Sequence, residues 1–274
     1  MIIKTMLKKI LKNLQKPHLI PRKIFSKILN QYYFNKYNFK KFLEDQNNLF
    51  LKLELNREEG EKKLQKIKEE FKFLESPMAS EHQVLFSSLS LKKKIPEILE
   101  IGTFDGKNSV LLSKLFPDSN ISTIDLDNTD ENFRLSYNRN DSEEFNKFCD
   151  SRDKILSLAN NVTFKKTNSV HLTSTNKKYD LIWVDGAHGY PVVTIDIINS
   201  VKLLNHDGII LCDDVILSKP SQQDSMYESI ASHETLKILK NSGVIDYELL
   251  FKRLDSTNNS NPFSRKFIAC VKIK

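Results

Sequence analysis

The chain has 274 residues, 39% hydrophobic and 28% charged, enough apolar content for a packed core and too much for a chain disordered throughout. Its net charge of +7 sits at one end: residues 1–41 hold 11 Lys or Arg and no acid, while the remainder holds 31 bases against 35 acids, so the basic pI is not the footprint of a nucleic-acid-binding body. The scattered Cys149, Cys212 and Cys270 argue against a disulfide framework or a CxxC zinc site and point to a reducing, cytoplasmic setting. No run nears the roughly 18 apolar residues of a membrane span, and no apolar stretch with a cleavage site signals secretion.

The opening MIIKTMLKKILKNLQK places Ile2, Ile3, Met6, Leu7, Ile10, Leu11 and Leu14 on one helical stripe, with lysines mostly opposite. Packing on its own domain or a partner chain is the favoured reading, and residence on an anionic membrane surface through residues 1–41 is the alternative. Pro17 and Pro21 break this pattern. An aromatic segment (Phe25, Tyr32, Tyr33, Phe34, Tyr37, Phe39, Phe42) follows, and residues 49–75 read as a charged helix interrupted near Gly60. Residues 1–75 are expected to be a helical extension for oligomerisation or docking, and residues 76–274 a separate domain.

From about residue 80 strands and helices alternate. EHQVLFSSLSLK, KNSVLLSKLF, SRDKILSLA, PVVTIDIINSVKLL and HETLKILKNSG read as helices, and PEILEIG, ISTIDLD, NVTFKKT, YDLIWVDG and GIILCDDV as strands. Such alternation implies a parallel sheet covered on both faces. The closing VIDYELLFKRL and RKFIACVKIK have no helix-length crossover between them, which predicts an antiparallel hairpin at one side of the sheet. The fold class is therefore α/β with a mostly parallel sheet.

In open parallel sheets ligands bind beyond the C-terminal strand ends. The first strand ends in EIGTFDGKNS, where Gly102 and Gly106 permit a tight turn and close backbone approach to a ligand. The GxxxG spacing is not the GxGxxG of a dinucleotide site, and Glu100 and Asp105 suit a ligand carrying a positive amine. Asp125 ends the second strand, where an acid accepts ribose hydroxyls. Asn168 and Ser169 after the third strand suit an adenine edge. These features together describe a nucleoside joined to an amino acid.

These residues resemble the class I S-adenosylmethionine-dependent methyltransferases, which have a Rossmann-like seven-stranded sheet ending in a hairpin. EIGTFDGKNS, VDGAH and LLNHDGIILCDDV are most similar to the metal-dependent O-methyltransferases, both the catechol type and the sugar type of the macrocin and mycinamicin enzymes. The resemblance covers roughly residues 78–274. It implies cofactor contacts from Glu100, Gly102, Thr103, Phe104, Asp105, Gly106, Ser109, Asp125, Asn168, Ser169 and Asp185.

Asp185 ends one strand and Asp213 and Asp214 end the next. Three converging carboxylates repel unless neutralised, and a divalent cation such as Mg²⁺ with oxygen ligands is the expected remedy; the resembling families hold such an ion at these places. Catechol-type enzymes carry Asp-Asn where this chain has Asp213-Asp214. His188, three residues after Asp185, matches the histidine proposed as general base in the sugar enzymes. The lysine of the catechol type is absent from DGAHGY, which favours an aliphatic hydroxyl, such as that of a sugar, as acceptor.

Blander roles stand beside these. Asp185 can serve only to orient the cofactor amine, one of Asp213 and Asp214 can cap a loop, His188 can be a helix-entry residue, and His82 is read as structural. In the long segment after the second strand, Arg134, Tyr137 and Arg139 are candidate substrate contacts. The expectation is an O-methyltransferase acting on a small molecule, assisted by a metal and homo-oligomeric. The alternatives are a metal-independent enzyme with a nitrogen or carboxylate acceptor, and a binding protein without catalysis.

Overall fold

The structure is a computed structural model that describes residues 20–74, 80–135, 141–218 and 228–274. The amphipathic stripe at residues 2–14, and Tyr137 and Arg139, lie outside the described residues. Helices α1 (Ile20–Asn35), α2 (Phe39–Lys52), α3 (Arg57–Glu70) and α4 (Glu81–Lys92) precede β1 (Glu97–Ile101). Then come α5 (Lys107–Leu115), β2 (Asn120–Asp125), α6 (Glu131–Leu135), α7 (Ser142–Leu156), β3 (Val162–Lys166) and β4 (Tyr179–Val184). The chain closes with α8 (Val192–Leu203), β5 (Leu204–Ile216), α9 (Ala231–Asn241), β6 (Ile245–Phe251), the short α10 (Ser256–Asn259) and β7 (Lys266–Ile273).

The seven strands form one sheet in the order β3-β2-β1-β4-β5-β7-β6. Strands β1 to β5 pair in parallel, and β7 runs antiparallel to both β5 and β6. This is the expected α/β architecture with its C-terminal hairpin. Because successive strand residues face opposite sides, Ile98 and Trp183 enter one core and Leu99, Ile182 and Val184 the other. Each fully buried Leu, Ile or Phe contributes roughly 1.5–3 kcal/mol, so two dry faces explain the near-continuous apolar runs of β1 and β4.

The expected boundary at residue 75 does not mark a break in packing. Phe50 of α2, Leu55, Leu64 of α3 and Leu74 join the buried cluster that holds Phe86, Ile98 and Trp183. The expected interruption at Gly60 also moves. The chain turns at residues 53–56, where Glu54 has φ of 55° and the Asn56 side chain accepts the Glu59 amide to cap α3. Gly60 lies inside α3 because α4 passes so close that a Cβ there would sit 2.0 Å from the Ser88 hydroxyl oxygen. The long segment after β2 is largely helical in α6 and α7. Asp141 caps α7 by accepting the amides of Glu143 and Glu144, and Phe133, Phe145 and Cys149 form a small core of their own.

Candidate active site

The turn between β1 and α5 is built by positive-φ residues: Gly102 at 103°, Phe104 at 49° and Gly106 at 77°. A side chain at Gly102 would place its Cβ 2.2 Å from the Asp185 carbonyl oxygen, so the turn lies directly against the end of β4. Backbone bonds lock the arrangement, with Gly102 N–H donating to Ile124 O (2.9 Å) and Asp185 N–H to Ile101 O (2.9 Å). Asp125 receives the Phe104 amide on Oδ2 at 2.9 Å and the Leu126 amide on Oδ1 at 2.8 Å.

Glu100 was expected to meet a positive amine, but it is fully buried. Its carboxyl receives Asn108 Nδ2 at 2.8 Å, Thr123 Oγ1 at 2.6 Å and the Ser109 hydroxyl. Burial pushes it up to about 7, against the pull of those three donors. It therefore shapes the turn from beneath, and Ser109 acts through it. Thr103, also buried, shares a hydrogen bond of 2.6 Å with Thr123. Asp105 caps the start of α5 by accepting the Lys107 amide at 3.1 Å. Phe104 is 43% exposed and packs on Phe148 with ring centroids 5.5 Å apart, forming a wall beside the turn. Asn168 accepts the Val170 amide at 3.0 Å, and Ser169 begins a short 3₁₀ turn at the C-terminal side of β3.

Asp185, His188, Asp213 and Asp214 are brought together at the ends of β4 and β5. His188 Nε2 lies 3.7 Å from Asp185 Oδ1 and 3.9 Å from Asp214 Oδ2, within electrostatic reach though beyond a hydrogen bond. Burial lowers the His188 pKa against the pull of Asp214 and Asp213, which keeps the imidazole neutral and able to accept a proton. Burial, reinforced by Asp213, raises the Asp185 carboxyl well above the usual carboxylate range. His82 packs on Trp183 with ring centroids 5.1 Å apart, and burial lowers it to about 4. That location agrees with its structural reading.

Two residues absent from the sequence reading complete the cluster. Lys252 Nζ donates to Asp213 Oδ2 at 2.6 Å and also to Asp214 Oδ1, and Lys266 Nζ donates to Asp214 Oδ2 at 2.6 Å. Burial opposes charge on both Asp213 and Lys252, but each outweighs it for the other: Asp213 is held below the usual range and Lys252 above it. The topology explains their arrival. Because β7 runs antiparallel, its first residue, Lys266, pairs with Ile216 just beyond the acids, and Phe251 at the end of β6 pairs with Phe267. A strand-end search confined to parallel strands passes over the start of an antiparallel neighbour.

A third residue, Asp196 of α8, escaped the sequence reading because it falls within an apolar helical run. It is 1% exposed, and its Oδ2 would lie 3.4 Å from a Cβ built on Gly186. Burial raises its carboxyl to about 6, with Ser169 opposing the shift.

The divalent cation expected at Asp185, Asp213 and Asp214 does not fit this donor set. A cation bound between Asp213 and Asp214 must displace the Lys252 ammonium and leave it buried beside a second positive charge. Among the described residues, no three His, Cys, Asp or Glu side chains are grouped so as to hold a metal ion.

Comparison with known proteins agrees with this geometry. Residues 99–215 match the Methyltransf_24 family model, described as a methyltransferase domain. A comparison with curated protein sequences returned no match. Among solved structures, cofactor-bound Rv0187 from MTB superposes with a TM-score of 0.52 at 15% identity, over 73% of this chain and 83% of that one. The O-methyltransferase from Bacillus cereus in complex with SAH gives 0.52 at 14% identity, over 86% of this chain and 100% of that one. The O-methyltransferase TomG from Streptomyces achromogenes, involved in tomaymycin synthesis and in complex with SAM, gives 0.50 at 17% identity, over 84% and 98%. The matched segment runs from β1 into β5 and contains the glycine turn, Asp125, Asp185 and the Asp213-Asp214 pair. Residues 99–215 of this chain therefore match a methyltransferase-domain model, on a fold shared with these solved structures.

Proposed function

We propose that the chain transfers the methyl group of S-adenosylmethionine to a hydroxyl of a small molecule, with an aliphatic, sugar-like alcohol as the favoured acceptor. The observation that carries this reading is the contact of Gly102 with the Asp185 carbonyl, which sets the cofactor turn against the His188 cluster. The cofactor is assigned to the β1–α5 turn and Asp125, with Asn168 and Ser169 on the adenine side. Backbone amides and the Phe104 ring then border the nucleoside, and the sulfonium methyl faces the ends of β4 and β5.

Methyl transfer is an in-line displacement: a bond forms from the acceptor oxygen to carbon while the carbon–sulfur bond breaks and its electron pair returns to sulfur. An alcohol is a weak nucleophile until its proton leaves. Neutral His188 takes that proton, and the carboxyl groups of Asp185 and Asp214 within 4 Å stabilise the imidazolium. A well-placed general base contributes typically 10²–10⁴-fold. The charged groups of Asp214, Lys252 and Lys266 suit a polar hydroxylated acceptor better than a flat apolar phenol. The test is His188→Asn: turnover should fall by at least about 10² while S-adenosylhomocysteine affinity stays within twofold. Unchanged turnover would remove His188 as the base.

A further inference from the structure

The three acids at the ends of β4 and β5 need a counter-charge, and the fold delivers one without an ion. Lys252 is 8% exposed, so its ammonium exchanges little with solvent and must be matched locally. Its bonds to Asp213 and Asp214 fill the space between the two carboxylates that a bridging cation would use. Its backbone is fixed from two sides. The Glu81 amide donates to Lys252 O at 2.9 Å, and Lys252 N–H donates to Lys266 O at 3.1 Å.

That fixture extends into the N-terminal helices. Arg57 grips Glu81 with Nε to Oε2 at 2.7 Å and Nη2 to Oε1 at 2.8 Å. Gln46 bridges Glu81 Oε2 and the Phe251 carbonyl at 3.0 and 3.1 Å, and its own Oε1 accepts the Phe251 amide at 3.0 Å. Helices α2 to α4 therefore clamp the end of β6 and set where Lys252 points. Lys252 and Lys266 thus set two ammonium groups directly against the Asp213 and Asp214 carboxylates.

We propose that Lys252, clamped between Asp213 and Asp214, takes the place of the divalent cation, so that this methyltransferase works without a metal. The inference rests on the functional reading above and deepens it. Lys252 is a positioning residue: it holds Asp214 beside His188 and keeps the two carboxylates from repelling one another. A metal would coordinate and acidify an acceptor hydroxyl; here the proton goes to His188 alone.

The test titrates Mn²⁺ into the full-length chain by electron paramagnetic resonance, which reads binding without turnover. The wild-type chain should show no Mn²⁺ site that Asp213→Asn removes. Lys252→Met frees the acids and should bind Mn²⁺ at least tenfold more tightly than wild type. A wild-type Mn²⁺ site lost in Asp213→Asn overturns the proposal, and this arm decides the matter even if Lys252→Met fails to fold. A folded Lys252→Met that gains no Mn²⁺ also counts against it. S-adenosylhomocysteine titration in chelator runs alongside. Absent nucleoside binding there refutes the methyltransferase reading, whereas the Mn²⁺ result bears on the lysine.

Discussion

Substituting Gly102 by alanine perturbs the junction on which the site depends. The residue has φ of +103° and an added Cβ meets the Asp185 carbonyl oxygen at 2.2 Å and its carbon at 2.7 Å. Backbone in that region costs a side-chain-bearing residue roughly 1–3 kcal/mol. The clash involves main chain on both sides, so it is relieved only by moving the turn or the end of β4. A stability loss of about 2–4 kcal/mol is expected; at roughly 2–4 °C per kcal/mol for a domain of this size, the melting temperature falls by about 5–15 °C. A shift of about 1 Å at a reacting centre can cost 10²-fold in rate, so turnover should fall further than stability alone explains. Thermal unfolding with S-adenosylhomocysteine calorimetry checks both. A variant with unchanged melting temperature and nucleoside affinity would refute the claim that the turn and Asp185 are packed as a unit.

Asp125→Ala removes the acceptor of the Phe104 and Leu126 amides and the charged group proposed for the ribose; hydrogen bonds to charged groups contribute about 1.5–3 kcal/mol each, so S-adenosylhomocysteine affinity should weaken by at least tenfold in calorimetry. Glu100 is raised by burial from an ordinary 4.5 to about 7, so the folded chain keeps a proton that the unfolded chain releases. Its contribution is present below pH 4.5 and is lost as pH rises to about 7, on the order of 3 kcal/mol. Glu100→Gln should remove that slope from urea unfolding measured between pH 5 and 8, and an identical slope would refute the assignment. Arg57→Met leaves Glu81 buried without its charged partner, with only the Gln46 amide beside it, and breaking such a pair costs about 3–5 kcal/mol. The double variant Arg57→Met with Glu81→Leu should recover more than half of that loss in urea unfolding.

The strands, their parallel order and the closing hairpin were legible because sheets buried on both faces write continuous apolar runs such as EILEI and LIWV. The glycine turn was legible because backbone geometry there excludes side chains. Asp185, Asp213 and Asp214 were correctly brought together by the rule that parallel strands end on one side. The lysines beside them were missed, because Lys252 and Lys266 lie about 40 and 50 residues away in sequence and arrive through an antiparallel strand. Glu100 looked like a ligand residue because the alternation of β1 does not tell a polar group facing solvent from one satisfied by Ser109, Asn108 and Thr123. Helices α2 and α3 looked detachable because α3 is highly charged, yet Leu64 and Gly60 press into α4. Arg57, read as one charge among many, is buried and clamps Glu81.

The proposed reaction is methyl transfer from S-adenosylmethionine to an acceptor oxygen. It is tested most directly by incubating the full-length chain with methyl-labelled cofactor, a panel of hydroxylated and amine-bearing small molecules, and chelator, then locating the label. The expected outcome is S-adenosylhomocysteine release and the label in an ether formed on a hydroxyl, with chelator making no difference. Label on nitrogen, or transfer that stops in chelator and returns with Mg²⁺, would contradict it.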